Sequence, residues 1–200
     1  MARTPSKIAH NKVIHAALEL VGERGVDATS MDAIAARSGV SKATVYKHWA
    51  GKEALLLEMI AAINGLDSRP TFDSGDTRAD MAAVLSYRPR ENLRMREKIL
   101  PHFAAYSASH AEFGSAWRNM VMEPPRRELR RLIGQGMAKG ELADNLDIEL
   151  CLALLLGPML YWHIFLRKPA TDLKLLADGV IEAFWRAFAL PRHLPPRRRR

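Results

Sequence analysis

Apolar residues recur at helical spacing through most of the chain, and the interruptions between them mark out a succession of helices. Ile14, Ala17, Leu18 and Val21 stand at i, i+3, i+4 and i+7 within residues 6–24, which predicts one helix with a single buried stripe, ended by Gly25. Leu56, Met59, Ile60 and Ile63 repeat that spacing over 52–64, and Leu55 widens the face. The stretch GLDSRPTFDSGD at 65–76 is rich in turn formers and acids and reads as a linker, placed at 67–76. Helix resumes from Thr77 with Met81, Val84 and Leu85 until Pro89 interrupts it. Pro124 and Pro125 break or start the next helix, 126–139, which Gly140 closes. Asp147 caps 148–166, whose stripe is Leu152, Leu155, Leu156, Met159 and His163, with Leu154, Leu160 and Trp162 beside it and a kink expected at Pro158. Leu173, Leu176, Val180, Phe184 and Phe188 form the stripe of a last helix, widened by Ala177, Ile181 and Trp185. With 3.6-residue periodicity throughout, the expected class is all-α.

The densest set of signals lies between Thr29 and Lys52. Ser30, or Thr29 beside it, can cap a short helix by accepting backbone N–H groups that no helical carbonyl reaches, and Asp32 suits the dipole there. Ile34 and Ala35 face inward, and Gly39 stops the helix where the chain must turn with φ above zero. Ser41 caps a second helix at once, with Val45 as its buried position. Ala35, Gly39 and Val45 carry the helix-turn-helix spacing of small residue, glycine and apolar residue. With Val45 and Trp49 turned inward, Lys42, Thr44, Tyr46, Lys47 and His48 remain on the outer face. They are donors and cations, the side chains that reach base edges and phosphates in a major groove.

The run GVSKATVYKHWAGKEALL, preceded by ATSMDAIAARS and a longer amphipathic helix, resembles the N-terminal domain of the TetR family of bacterial transcriptional regulators. The resemblance implies a three-helix helix-turn-helix domain over 1–66 and a larger helical domain over 77–190 for ligand binding and dimerisation. It implies double-stranded operator DNA as partner, a homodimer, and an unidentified small-molecule effector, hydrophobic or amphipathic, that releases the DNA. Repression is the more usual sign of regulation in that family. Carried onto this sequence, Lys42, Thr44 and Lys47 would face bases or nearby phosphates, and Tyr46, His48 and Lys52 would anchor phosphates. Thr29 and Ser41 would cap helices close to the DNA backbone. Trp49 stands where phenylalanine is more usual, a change of bulk within the same buried role.

Two consecutive helices as apolar as 148–166 and 173–188 exceed what one small domain can cover. A twofold four-helix bundle answers that excess, with Leu155, Met159, His163, Leu176, Val180, Phe184 and Phe188 as the expected interface. Between Ile99 and Met122 large side chains concentrate. Phe103, Tyr106, Trp117 and Met120, with Tyr161 and Trp162 farther along, fit an ordinary core and equally the lining of a ligand pocket. His102 and His110 flank Tyr106 at intervals of four, but without a carboxylate or cysteine in register they do not make a metal site, and none is expected.

Charge adds less than it promises. The net charge is +8, but Arg192 and Arg197 to Arg200 contribute five of it, and 8 − 5 leaves +3 for the rest, so local placement carries the DNA argument. The tail PRHLPPRRRR at 191–200 reads as disordered, and is either a bland terminus or a nonspecific phosphate contact. Arg3 and Lys7 belong to a short polar arm open to the same two readings. Arg88, Arg90, Arg94, Arg96 and Lys98, diluted by Glu91 and Glu97, read as a solvated helix face. No membrane-length apolar run and no secretory leader is present, so a cytoplasmic location is expected. The single Cys151 fits a buried small side chain. No glycine-rich phosphate loop, HExxH, GxSxG or paired cysteine and histidine calls for an enzyme or a cofactor. A DNA-binding regulator without small-molecule input remains open, as does a helical carrier or enzyme whose reader-like segment no longer binds DNA.

Overall fold

The computed structural model describes residues 5–64, 70–87, 93–166 and 173–193, with the side chains of residues 5, 6, 93, 94, 96, 163 and 164 outside that description. The N-terminal arm around Arg3, the arginines at 88, 90, 94 and 96, and the tail from 194 onward therefore fall outside it.

Helix α1 (Pro5–Arg24) is covered over more of its circumference than its stripe predicts. Besides Ile14, Ala17, Leu18 and Val21, the side chains of Val13, Ala16 and Leu20 are buried. The reason is its position among three others: α2 (Met31–Ser38), α4 (Lys52–Asn64) and α6 (Leu93–Ser109) all pack on it. Between α2 and α4 lies α3 (Lys42–His48), which leans on α2. The turn between α2 and α3 is built as expected. Gly39 sits at φ 67°, and Ser30 and Ser41 each accept one orphan backbone N–H, from Ala33 and from Thr44, both at 3.2 Å.

These helices form the first of two compact units, together with α6 and α7 (Ala111–Trp117). Within this unit α6 packs on α1 and α4, and α7 on α4 and α6. Periodicity shows that a helix has a face to bury but not which other helix will bury it. Gly114 makes the α6–α7 approach possible, since a Cβ there would fall 2.5 Å from the Ser107 carbonyl oxygen. Phe103, Phe113 and Trp117 pack edge-on or tilted beneath it, with ring centroids 5.7 and 5.9 Å apart.

The second unit comprises α5 (Thr77–Ser86), α8 (Glu123–Ala138), α9 (Ile148–Leu160) and α10 (Leu173–Phe188). Asp76 and Asp147 cap α5 and α9, accepting from Ala79 N–H at 2.9 Å and Leu150 N–H at 3.1 Å. Pro124 and Pro125 occupy the first turn of α8, where a missing N–H costs nothing. Pro158 lies inside α9, and the following turn, Tyr161–Phe165, widens to π geometry. Leu85, Leu129, Leu132, Leu152, Ile181 and Trp185 form the centre of this unit's core with Cys151, each large aliphatic contributing about 1.5–3 kcal/mol on burial. Among the described residues there is no strand, only an isolated bridge of Leu142 with Ala189. The all-α class holds.

Candidate nucleic-acid interface

The outward face of α3 is decided by two inward anchors. Val45 is fully covered and Trp49, at the C-terminal cap, is nearly so, while its backbone N–H closes the helix on the Val45 carbonyl at 3.0 Å. With those fixed, Lys42, Tyr46, Lys47 and His48 project into solvent and Thr44 is half-buried. Half of the Tyr46 surface is exposed, an unusual placement for an aromatic with a hydroxyl tip and one suited to a phosphate or a base. Lys47 has no ion-pair partner among the described residues.

The other expected contacts are placed differently. Lys42 Nζ donates to Asp32 Oδ2 at 2.6 Å, and that carboxylate raises the pKa of the ammonium above its ordinary value. Lys42 therefore stands at the face already neutralised. The Thr44 and Ser41 hydroxyls share a hydrogen bond at 2.8 Å at the mouth of the helix. Thr29 is 1% exposed and donates to the Gly25 carbonyl at 2.7 Å, so it tightens the turn before α2 and leaves the capping to Ser30. Lys52 donates to the Val26 carbonyl at 3.2 Å and lies 5.7 Å above the Tyr106 ring, both within its own unit. A long cation beside a carbonyl and an aromatic face finds both partners within the chain, which spacing along the sequence does not reveal.

Behind the reader, Arg37 on α2 donates two hydrogen bonds at 3.1 Å to Glu23 on α1, and Glu19 lies 3.5 Å away. This bidentate pair holds the Glu23 carboxyl below its usual range and raises the Arg37 pKa. Trp49 Nε1 donates to Glu58 Oε2 at 2.7 Å, a bond that the expectation of a purely apolar residue at 49 missed. An indole at a buried position is the signal that could have revealed it, since its N–H requires an acceptor.

A short helix held from behind, with cations, a phenol and an imidazole facing out, is the geometry of a DNA-reading element. The family model for bacterial regulatory proteins of the tetR family matches residues 13–59, and that for the tetracyclin repressor-like C-terminal domain matches 71–188, more than half of the chain. The chain belongs to the TetR family. It is a DNA-binding transcriptional regulator of the helix-turn-helix type. The chain is 29% identical over 175 residues to the uncharacterized HTH-type transcriptional regulator YdeS of Bacillus subtilis, covering 88% of this chain and 87% of that one. It is 37% identical over 93 residues to the tetracycline repressor protein class A from transposon 1721 of Escherichia coli, covering 42% of this chain and 43% of the repressor. A crystal structure of a TetR-family regulator from Rhodococcus sp. shares the fold at a TM-score of 0.73 with 18% identity, over 88% of this chain and 98% of that one.

The residues expected to line a ligand pocket divide between the two units. Phe103 and Tyr106 are buried in the first, Tyr106 stacked on His110 at 3.6 Å, and Trp117 is covered beside them, while Met120 in the turn Arg118–Met122 is half-buried. Burial, with Glu53 and Asp27 nearby, raises the Tyr106 pKa. In the second unit Tyr161 is exposed and Trp162 is half-buried, with its Nε1 covered and without a hydrogen-bond partner among the described residues. Of the residues expected at a dimer face, Leu155, Met159 and Phe184 are enclosed in the chain's own core, and Leu176, Val180 and Phe188 pack at its margin. The His163 side chain lies outside the described residues. The apolar side chains of this unit left in solvent are instead Leu150, Leu154, Leu160, Tyr161, Phe165 and Leu166 on α9 and its extension, and Leu175 on α10. No described helix is long and apolar enough to cross a membrane.

Proposed function

We propose that this regulator is a cytoplasmic repressor that binds a palindromic operator as a homodimer and is released by a small hydrophobic or amphipathic effector. The observation that carries the reading is α3, anchored by Val45 and Trp49 and presenting Tyr46, Lys47 and His48 outward. So short a helix reads few base pairs, and two copies related by a twofold axis read enough for useful specificity. Leu150, Leu154, Tyr161, Phe165 and Leu175, apolar and exposed, support self-association of the second unit. The name of the tetracycline repressor supports the sign of regulation. The covered and unpartnered Nε1 of Trp162 supports an effector that combines apolar surface with a hydrogen-bond acceptor. Such an effector acts only by binding two conformations with different affinity.

The test is selection of duplexes from a random pool. Enrichment of an inverted repeat, with half-sites about 10 base pairs or a multiple of that apart, is the expected result. A pool that stays random, or an enriched site without dyad symmetry, overturns the reading. Tyr46→Ala combined with Lys47→Ala is expected to abolish the enrichment.

A further inference from the structure

A phenylalanine would fill the hollow at position 49 with no polar atom, but this chain has an indole there, only 3% exposed. Its Nε1 donates to one oxygen of Glu58, on α4, at 2.7 Å. The other oxygen of the same carboxylate lies 2.5 Å from Nε2 of His10, on α1. The His10 and Trp49 rings stack with centroids 5.0 Å apart at 30°, and His48, the last residue of α3, stands with its ring 6.2 Å from that of His10. One carboxylate thus joins three helices at the C-terminal end of the recognition helix.

Apolar packing resists withdrawal of a side chain but opposes sliding and rotation only weakly, whereas a charge-assisted hydrogen bond fixes direction as well as distance. Helix α3 needs that help, because Val45 is the one buried residue within its seven. We propose that Glu58 is a positioning residue for DNA reading: by holding Trp49, itself braced by His10, it makes the tilt of α3 follow the place of α4. The inference rests on α3 being the DNA-reading element.

The experiment is a double-mutant cycle of Glu58→Ala and Trp49→Phe, read as affinity for the duplex that the wild-type protein enriches and for a scrambled duplex. Each single variant is expected to bind the enriched duplex about tenfold more weakly, because each loses the bond that fixes the end of α3 to α4, with the double variant no weaker than the weaker single variant. Loss on the scrambled duplex is expected to be smaller, so the ratio of the two affinities falls. Glu58→Gln keeps an oxygen acceptor and is expected to stay within about threefold of wild type. Without DNA, the indole N–H resonance that disappears in Trp49→Phe is expected to move upfield in Glu58→Ala and to stay near its place in Glu58→Gln. If Glu58→Ala loses its helical circular dichroism, Glu58→Asp, one methylene too short to span the gap, replaces it in the cycle. Additive losses, equal losses on both duplexes, or an unmoved indole resonance overturn the inference while leaving DNA reading intact. A wild-type protein that enriches no duplex overturns DNA reading itself, and the inference with it.

Discussion

Thr29, Lys42 and Lys47 lie in or beside the reader, and burial and partners give each a different part. Lys47 is exposed without an ion-pair partner among the described residues, so Lys47→Ala is expected to weaken DNA binding and to lower the slope of log affinity against log salt by about 0.9, one phosphate contact. Thr29→Val removes a buried hydroxyl from the Gly25 carbonyl, and is expected to cost about 1–3 kcal/mol in a denaturant melt while leaving that slope unchanged. A flattened slope would return Thr29 to the interface. Lys42 is held by Asp32, so Asp32→Asn is expected to free a cation at the face and steepen the slope by about 0.9, measured by titrating one duplex at several salt concentrations. Residue types at 42, 44, 46, 47 and 48 were legible in the sequence, because the buried Val45 and Trp49 fix which way the others point. The partners of Lys42 and Lys52 were not, because they come from other parts of the chain, Asp32 on α2 ten residues away and the Val26 carbonyl, in the turn after α1, twenty-six.

Element ends follow local chemistry, and they were read closely. Ser30, Ser41 and Asp147 cap the helices they precede, and Gly39 and Gly140 end theirs with φ of 67° and 65°; Asp76, read only as linker, also caps, at the start of α5. The contacts between elements needed the fold. At the start of α9, Glu149 accepts hydrogen bonds from Arg126 at 2.5 Å and Arg130 at 2.6 Å on α8. The bond from Arg130, with the charge of Arg126, holds the Glu149 carboxyl below its usual value of 4.5. A folded-state pKa below the unfolded one gives stability that is complete at neutral pH and fades as pH falls through the carboxylate range. Glu149→Gln is therefore expected to lower the melting temperature at pH 7 and to narrow its gap from wild type as pH drops below about 4.5, the ordinary carboxylate value. A gap constant with pH would show that the pair contributes by packing and not by charge. Glu149 is well exposed, so the effect is small.

At the scale of the molecule, the apolar excess of α9 and α10 is only partly covered by the chain itself. Leu155 is fully enclosed, whereas its neighbour Leu154 is 46% exposed and Leu175 on α10 is 77% exposed. Leu155→Ala is expected to cost about 2–5 kcal/mol of folding stability. Leu154→Ser with Leu175→Ser is expected to leave the denaturant melt near wild type and to shift sedimentation from dimer to monomer. An unaltered dimer in the second variant would place the interface on another face. Periodicity finds the most apolar stripe of each helix, and a chain buries that stripe first. What remains is available to the second copy of the proposed homodimer, and the residues that would meet it emerge only from the fold.

The sequence by itself determined the all-α class, the helix-turn-helix with its caps and its turn glycine, the outward face of the recognition helix and the family. Those features depend on residues a few positions apart, whose geometry the helix repeat dictates. Tertiary structure alone decided that α6 packs on α1 and α4 and α7 on α4, that Lys52 and Thr29 find partners within the chain, that Leu155 belongs to the core and Leu154 to the surface, and that Glu58 grips Trp49 and His10. Each of these joins groups far apart in the chain, and their meeting is set by which faces the helices bury against one another.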